Sequence, residues 1–139
     1  MMGTILFVCV HNSVRSQMAE GLAHHYGRDL VEAYSAGFYE TGVNPLVIKV
    51  MEEIGIDVSG QSSKTLNELE DVSFDYVISL YIEMEKACPV FPGANQIHWP
   101  TPDPGKVEGT PEEVLAAFRW VRDDLKRKII DLLARIKTD

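Results

Sequence analysis

The sequence has 139 residues, of which 45% are hydrophobic and 24% are charged, a composition typical of one globular domain with its own core. A net charge of −8, without any block of lysine and arginine, argues against a nucleic-acid partner. No apolar run approaches the roughly 20 residues that a membrane helix needs, the N-terminus lacks a signal-peptide pattern, and two cysteines do not make a disulfide framework. We therefore expect a single domain over residues 1–139 that is not in a membrane and lies in the cytoplasm with reduced thiols.

The first predicted elements are a strand and a helix joined by a short loop. Residues 5–8 form a continuous β-branched and aromatic run, which is typical of a strand buried on both faces. From Arg15 the apolar period becomes helical, and Gly27 ends the run. A loop between a buried strand and a helix start turns successive backbone N–H groups toward one point, where the helix dipole is positive. This arrangement predicts an anion-binding site.

The residues of this loop suit nucleophilic attack on an oxyanion. Cys9 would lie at the floor of the site, where backbone N–H groups and the helix N-terminus favour a negatively charged nucleophile. Arg15 can grip two anion oxygens with its planar guanidinium, and the Ser16 hydroxyl can reach the Cys9 sulfur. The alternative is that Cys9 is a small buried hydrophobic residue at a strand end. The candidate oxyanion-binding residues are Val10, His11, Asn12, Ser13, Val14, Arg15 and Ser16.

The rest of the chain alternates between strands and helices. Strands are predicted over residues 31–36, 76–80 and 96–99, and a helix that begins at Asn44 and Pro45 ends at Gly55. A short helix is expected near residues 66–69 and one helical turn between residue 81 and Pro89. A capping box at residues 110–113 starts a long C-terminal helix. The alternation predicts a parallel sheet with helices on both faces and a ligand site beyond the carboxyl ends of the strands.

Three further sets of polar residues bear on catalytic, supporting or metal-binding roles, and one of them gives a catalytic candidate. Asp103, which precedes a proline in a proline-rich loop, suits a general acid and base, although Asp-Pro is also a common turn pair. Asn12 is expected to support the loop, because its amide can satisfy backbone groups and it tolerates a left-handed turn. The four histidines have no cysteine or carboxylate partners at ligand spacing, so no metal site is predicted.

These motifs resemble the low-molecular-weight protein tyrosine phosphatase superfamily, and most of all the thioredoxin-coupled arsenate reductases of that fold. The resemblance starts in the loop that runs from Cys9 to Glu20 and covers essentially the whole chain. It continues through Tyr34-Ser35-Ala36-Gly37, Gly42-Val43-Asn44-Pro45, residues 51–57, Cys88-Pro89, His98-Trp99, Asp103-Pro104 and residues 118–123. It implies a four-stranded parallel sheet in a Rossmann-like three-layer sandwich. It also implies that Cys9 is the nucleophile, that Asp103 is the general acid and that Ser35 helps to hold the loop.

The sequence departs from these relatives at two positions. Such reductases use three cysteines; Cys9 matches the first and Cys88 the third, but Tyr81 stands where the second is expected. An internal three-cysteine relay therefore cannot run. Either Cys88 resolves the adduct directly or an external thiol does, and Cys88 is otherwise a buried hydrophobic residue or an inherited remnant. Lys64 stands where some members have an aspartate that helps bind potassium near Glu20, so we predict no potassium requirement and expect that the ammonium can replace the ion.

Two activities share one first step, which is thiolate attack on a tetrahedral oxyanion. With arsenate, a second thiol (Cys88, thioredoxin or a small thiol) releases arsenite from the adduct; with a phosphomonoester, water hydrolyses a cysteinyl-phosphate. The first hypothesis is an arsenate reductase-like enzyme with retained phosphatase activity. The alternative is a phosphatase for phosphotyrosine or small aryl phosphates, with a wall formed by Phe38, Tyr39 and Tyr81, and the third is a non-catalytic oxyanion-binding module. We expect a monomer that needs no cofactor.

Overall fold

The computed structural model describes residues 2–82 and 88–138. The strands are β1 (Gly3–Cys9), β2 (Val31–Gly37), β3 (Tyr76–Ser79) and β4 (Asn95–His98). The α-helices are α1 (Arg15–Tyr26), α2 (Pro45–Glu52) and α3 (Pro111–Thr138), and short 3₁₀ helices span Leu66–Leu69 and Pro104–Lys106. The helical turn predicted before Pro89 falls on residues 83–87, which lie outside the described residues.

The strands form one parallel sheet in the order β2-β1-β3-β4. β1 pairs along both edges, and its residues 5–8 are fully buried, because other strands cover its edges and other elements cover its faces. Cys9 is in register with Gly37 of β2. The nucleophile candidate therefore lies at the carboxyl end of the central strand, where parallel sheets bind their ligands.

The sheet separates two apolar layers. On one face Ile5 and Phe7 pack among buried residues of all three α-helices. The alternate residues Leu6 and Val8 point to the other face, where they join the 3₁₀ helix at Leu66–Leu69 and Phe74. The prediction of helices on both faces is confirmed, with three α-helices on one side and, among the described residues, one short 3₁₀ helix on the other.

Capping contacts set the ends of the helices. Asn44 Oδ1 accepts a hydrogen bond from the backbone N–H of Leu46 at 2.9 Å, which confirms the predicted start of α2. Thr110 and Glu113 exchange hydrogen bonds at the start of α3, as the predicted capping box requires. The prediction that Gly55 caps α2 is confirmed: Gly55 has φ +79°, its N–H donates to the Glu52 carbonyl, and the Ile56 N–H donates to the Met51 carbonyl, each at 3.0 Å, which is the pattern of a glycine-terminated Schellman cap.

Helix α3 has 28 residues and presents an apolar stripe to the sheet and the other helices. Phe118, Leu125 and Ile129 on this stripe are at most 1% exposed. Neither α3 nor any other helix in residues 2–82 and 88–138 is long and apolar enough to cross a membrane.

One ion-pair network joins the end of α2 to the middle of α3. Glu53 accepts hydrogen bonds from Arg119 Nη2 at 2.7 Å and from Arg122 Nη1 at 2.8 Å, and Arg122 also donates to the Val50 carbonyl. The hydrogen bonds from Arg119 lower the pKa of Glu53 most; desolvation opposes this in part, and the contacts with Arg122 lower the pKa further, to about 2. The carboxylate therefore stays ionised over a wide acidic range and holds the two helices together.

We predict that Glu53→Gln destabilises the protein at neutral pH and matters less in acid. The folded-state pKa of Glu53, about 2, lies below the ordinary value of 4.5, so its stabilisation is fully present above that value and is lost as pH falls toward 2. Urea unfolding should show a gap between wild type and Glu53→Gln that shrinks between pH ~7 and pH ~3. The exposed neighbour variant Glu52→Gln is the control. A gap that does not change with pH would contradict this account.

Candidate oxyanion site

The loop between β1 and α1 is placed by two largely buried elements. Cys9 is the last residue of β1 and Arg15 is the first of α1, and they are 2% and 3% exposed. Val14, at the N-cap position of α1, makes no side-chain capping hydrogen bond. The positive end of the helix therefore points into the loop without a side-chain acceptor from its own cap, which favours an anion there.

A cavity of about 160 Å³ opens above Cys9. Its walls come from three segments: the β1–α1 loop, the loop that leads from β2 into α2, and the proline-rich loop before α3. The lining residues are Cys9, His11, Ser13, Val14, Arg15, Thr41, Asn44, Asp103 and Gly105. Since most of them are small or polar, the cavity suits a small tetrahedral anion better than a bulky apolar group.

Arg15 and Asp103 stand together on one wall of this cavity. Arg15 Nη1 donates to the Thr101 carbonyl at 3.0 Å, and its Nη2 lies 3.9 Å from Asp103 Oδ2. The other carboxyl oxygen, Oδ1, accepts from the Gly105 backbone N–H at 2.9 Å. The 3₁₀ helix at Pro104–Lys106, which the sequence did not predict, thus orients an acidic group beside the Arg15 guanidinium.

Behind the cavity, a buried chain of polar side chains supports the cysteine. Cys9 Sγ lies 2.8 Å from Ser16 Oγ, and Asn12 Nδ2 donates to both Ser16 Oγ at 2.8 Å and Ser35 Oγ at 2.9 Å. Ser35 in turn donates to Glu20 Oε1 at 2.6 Å. Because Ser16 accepts from Asn12, its own hydrogen can point to sulfur, and such a bond stabilises a thiolate.

The Asn12 side chain points away from the cavity, and this residue is not part of the cavity lining. It is fully buried with φ +51°, a left-handed conformation that asparagine tolerates better than most residues. Its Oδ1 accepts from the Lys64 backbone N–H at 2.7 Å and from Gln17 Nε2 at 3.0 Å. Because Nδ2 also donates to two serines, the Asn12 amide holds the loop on the side away from the cavity. The opposite side of the loop faces the cavity.

Lys64 lies beside Glu20, at the far end of this chain of contacts. Its Nζ is 3.7 Å from Glu20 Oε1 and donates to the Ser62 carbonyl at 3.0 Å, while His24 Nε2 is 3.8 Å from Glu20 Oε2. The ammonium is thus where the sequence comparison places it. Across the described part of the chain, no group of three or more His, Cys, Asp or Glu is arranged to hold a metal ion.

Cys88 does not line the cavity above Cys9. It is half-buried in the layer on the opposite face of the sheet, near Tyr81. Burial raises the pKa of the Cys88 thiol, and the contact with Tyr81 opposes this only in part. Gln96 Nε2 is a distant further contact at 3.9 Å. The thiol is therefore protonated at neutral pH and is a weak nucleophile where it stands.

The expected aromatic wall is only partly present. Tyr81 is 3% exposed and packs on Phe38, with ring centroids 5.8 Å apart, so it belongs to the core. Tyr39 instead lies beside His11, which lines the cavity, with ring centroids 5.6 Å apart. The interpretation of all three aromatics as one wall is therefore wrong, because Tyr81, two residues beyond the end of β3, is buried in the core.

Sequence reasoning missed four residues near the anion site: Thr41, Asn44, Thr101 and Gly105. Asn44 carried a signal as a helix cap, but it also lines the cavity and its backbone N–H donates to the Ser13 carbonyl at 3.1 Å. The other three contribute through loops that meet only in the folded chain, and no local pattern marks them.

The fold and the site together define a class of protein: a parallel α/β fold in which an inner strand ends in a cysteine, and five residues separate this cysteine from an arginine that starts a helix. The family model for the low molecular weight phosphotyrosine protein phosphatases matches residues 4–139. The chain belongs to this family, which confirms the family and fold expected from the sequence.

Within this family, the chain is similar in sequence and structure to several arsenate reductases. An arsenate reductase of Halalkalibacterium halodurans is 44% identical over 126 residues, which are 90% of this chain and 91% of the relative. The solved structure of an arsenate reductase in the phosphate binding state has a TM-score of 0.85 at 35% identity, covering 97% of this chain and 99% of that one. The thioredoxin-dependent arsenate reductase of Corynebacterium glutamicum has a TM-score of 0.79 at 28% identity over 99% of this chain and 63% of that chain.

We predict that Gly37→Ala damages the site through its backbone. A Cβ at this position would lie 2.7 Å from the Val10 carbonyl oxygen and 2.8 Å from the Asn12 backbone nitrogen, so the loop must shift. We expect a loss of about 1–3 kcal/mol in the free energy of unfolding and weaker phosphate binding. Gly60→Ala, where a Cβ meets nothing within 4 Å, is the matched control. Equal behaviour of the two variants would show that the loop is not packed against β2.

We also predict that the rate at which the protein hydrolyses p-nitrophenyl phosphate does not depend on potassium. In the wild type, exchanging potassium for choline should leave kcat unchanged, because the Lys64 ammonium already lies beside Glu20. Lys64→Ala should lower kcat several-fold, and the exposed Lys137→Ala should not. Steady-state kinetics in both salts checks this, and a wild type that loses activity in choline would refute it.

Proposed function

We propose that the protein is an arsenate reductase-like enzyme in which Cys9 attacks arsenate bound in the cavity above it. The observation that carries this proposal is that Cys9, Arg15 and Asp103 line one small polar cavity. Arsenate and phosphate have nearly the same shape and charge, so one cavity can take either anion. The names of the relatives, which are arsenate reductases, favour arsenate as the physiological oxyanion.

The first step is nucleophilic displacement at arsenic. Cys9 Sγ, stabilised by the Ser16 hydroxyl, forms a bond to arsenic, and one arsenic–oxygen bond breaks. The departing oxygen leaves as water after protonation, for which Asp103 is the carboxyl group in the cavity. Arg15, the loop N–H groups and the start of α1 stabilise the negative charge of the transition state. The product is an arsenate ester of the Cys9 thiol, still at As(V).

The second step needs another thiol. Its sulfur attacks Cys9 Sγ and forms a disulfide with it, while the sulfur–arsenic bond breaks and its electron pair stays on arsenic, which becomes As(III) and leaves as arsenite. The two thiols are thus oxidised as arsenic is reduced, and a further thiol must reduce the disulfide to return Cys9. Cys88 lies outside the cavity and has a raised pKa, and Tyr81 stands where the sequence comparison expects a closer cysteine. We therefore assign this step to an external thiol, from thioredoxin or from a small molecule such as glutathione.

Phosphomonoester hydrolysis is the second candidate activity, and the position of Asp103 favours it. Its carboxyl group is held by the Gly105 N–H and faces Arg15, so it can protonate a leaving oxygen and then activate the water that hydrolyses a cysteinyl-phosphate. Both activities require a reduced Cys9, and all the proposed groups belong to one chain. We therefore place the protein in the cytoplasm as a monomer without a cofactor.

The decisive prediction concerns the two cysteines. Cys9→Ser should lower arsenite formation by at least about a thousandfold, because it removes the nucleophile of the first step. Cys88→Ser, its matched control, should keep most of the activity with an external thiol. Arsenite is measured with arsenate and thioredoxin, and separately with arsenate and glutathione.

Each other outcome has a distinct meaning. If thioredoxin-driven arsenite formation is lost in Cys88→Ser, the two cysteines form a shortened relay and the external-thiol assignment is wrong. If no reductant yields arsenite while p-nitrophenyl phosphate is hydrolysed, the protein is a phosphatase. A Cys9→Ser variant whose effect in the cell is unchanged would leave a non-catalytic oxyanion-binding module.

A further inference from the structure

Asn44 begins helix α2 and also lines the cavity above Cys9, and the reaction steps above give it no role. The residue is half-buried. Its Oδ1 accepts a hydrogen bond from the Leu46 backbone N–H at 2.9 Å, and its own backbone N–H donates to the Ser13 carbonyl at 3.1 Å. Because Ser13 belongs to the oxyanion loop, Asn44 is held by that loop and by α2 at the same time.

The capping contact fixes which end of the Asn44 amide is which. Only the carbonyl oxygen of an amide can accept from the Leu46 N–H, so the NH₂ group is the end that points away from the α2 backbone. Within residues 2–82 and 88–138, no atom accepts a hydrogen bond from Nδ2. The two N–H bonds of this group are therefore available to a ligand in the cavity that Asn44 lines.

The small size of the cavity brings its lining residues within reach of one anion. Its volume is about 160 Å³, and one water takes about 30 Å³ in the liquid, so a tetrahedral anion fills much of the space. Arg15 and Asp103 stand together on one wall, whereas Asn44 comes from the segment that leads from β2 into α2. An anion gripped by Arg15 therefore presents its remaining oxygens to groups on the other walls.

We propose that Asn44 Nδ2 is a further oxyanion-binding donor, which holds an oxygen of the bound arsenate or phosphate. This inference rests on the oxyanion site of the proposed function and adds a binding residue to it. The oxygen stays on arsenic while Cys9 attacks, and the amide neither transfers a proton nor bonds to arsenic. A hydrogen bond to a charged group contributes more than one between neutral groups, so its loss should weaken anion binding about tenfold or more.

Substitutions can separate this role from the capping of α2. Asn44→Gly removes the amide but leaves a residue that begins helices nearly as well as asparagine does. Asn44→Asp keeps an acceptor for the Leu46 N–H and replaces the NH₂ group by a negatively charged oxygen. The control is Thr110→Ala, which removes the hydroxyl that accepts from a backbone N–H at the start of α3 and does not change the cavity lining.

The test measures the Kd for inorganic phosphate by calorimetry on the reduced full chain, beside urea unfolding of each variant. Asn44→Gly should raise the Kd about tenfold or more while its unfolding midpoint stays close to that of the wild type. Asn44→Asp should raise the Kd further, because its charge repels the anion. Thr110→Ala should show the opposite pattern, with a lower unfolding midpoint and the Kd of the wild type.

Other results overturn the inference. If Asn44→Gly or Asn44→Asp binds phosphate as tightly as the wild type, the amide does not hold the anion, and the proposed reductase still stands. A loss of affinity that merely follows the loss of stability, and that Thr110→Ala shares, would reduce Asn44 to a helix cap. A wild type that binds phosphate through Asn44 but yields no arsenite with any reductant would support this inference while the proposed reductase fails.

Discussion

The site depends on one buried amide. Asn12 is held with φ +51° in the middle of the loop, and its side chain uses both ends: Nδ2 binds Ser16 and Ser35, and Oδ1 binds Gln17 and the Lys64 backbone. Burial of an amide is tolerable only when its hydrogen bonds are made, so each of these partners constrains the others. The result is that α1, β2 and the segment at residue 64 are all tied to the loop that surrounds Cys9. The anion site is therefore fixed by the same contacts that close the fold around it.

Much of this arrangement follows from local sequence. The buried run at residues 5–8, the change to helical period at Arg15 and the cap at Asn44 each act over a few residues, and all three are found where predicted. What local reasoning could not supply is the meeting of distant loops. The contact of Arg15 with Thr101 and the lining by Thr41 join residues that are far apart in the chain.

The two cysteines lie in different physical settings, and the sheet explains why. Cys9 ends the central strand on the side of the α-helices, beside a helix N-terminus and a hydroxyl. Cys88 packs in the opposite layer with Tyr81, where burial raises the pKa of its thiol. One chain thus contains a cysteine that lines a small polar cavity and another that packs in the apolar layer on the other face of the sheet. Sequence alone shows two cysteines with family-like spacing and cannot show which layer each one joins.

The central place of β1 also determines how Cys9 can be reached. Amide groups of a strand that is hydrogen-bonded along both edges and fully buried exchange with solvent only when the whole domain unfolds. Fraying of the edge strand β4 would leave β1, and the Cys9 sulfur at its end, undisturbed. Chemical modification of Cys9 in the native protein must therefore pass through the cavity mouth. The rate at which reagents of increasing width label the sulfur then measures the aperture of that mouth, and protection by bound phosphate reports occupancy of the site.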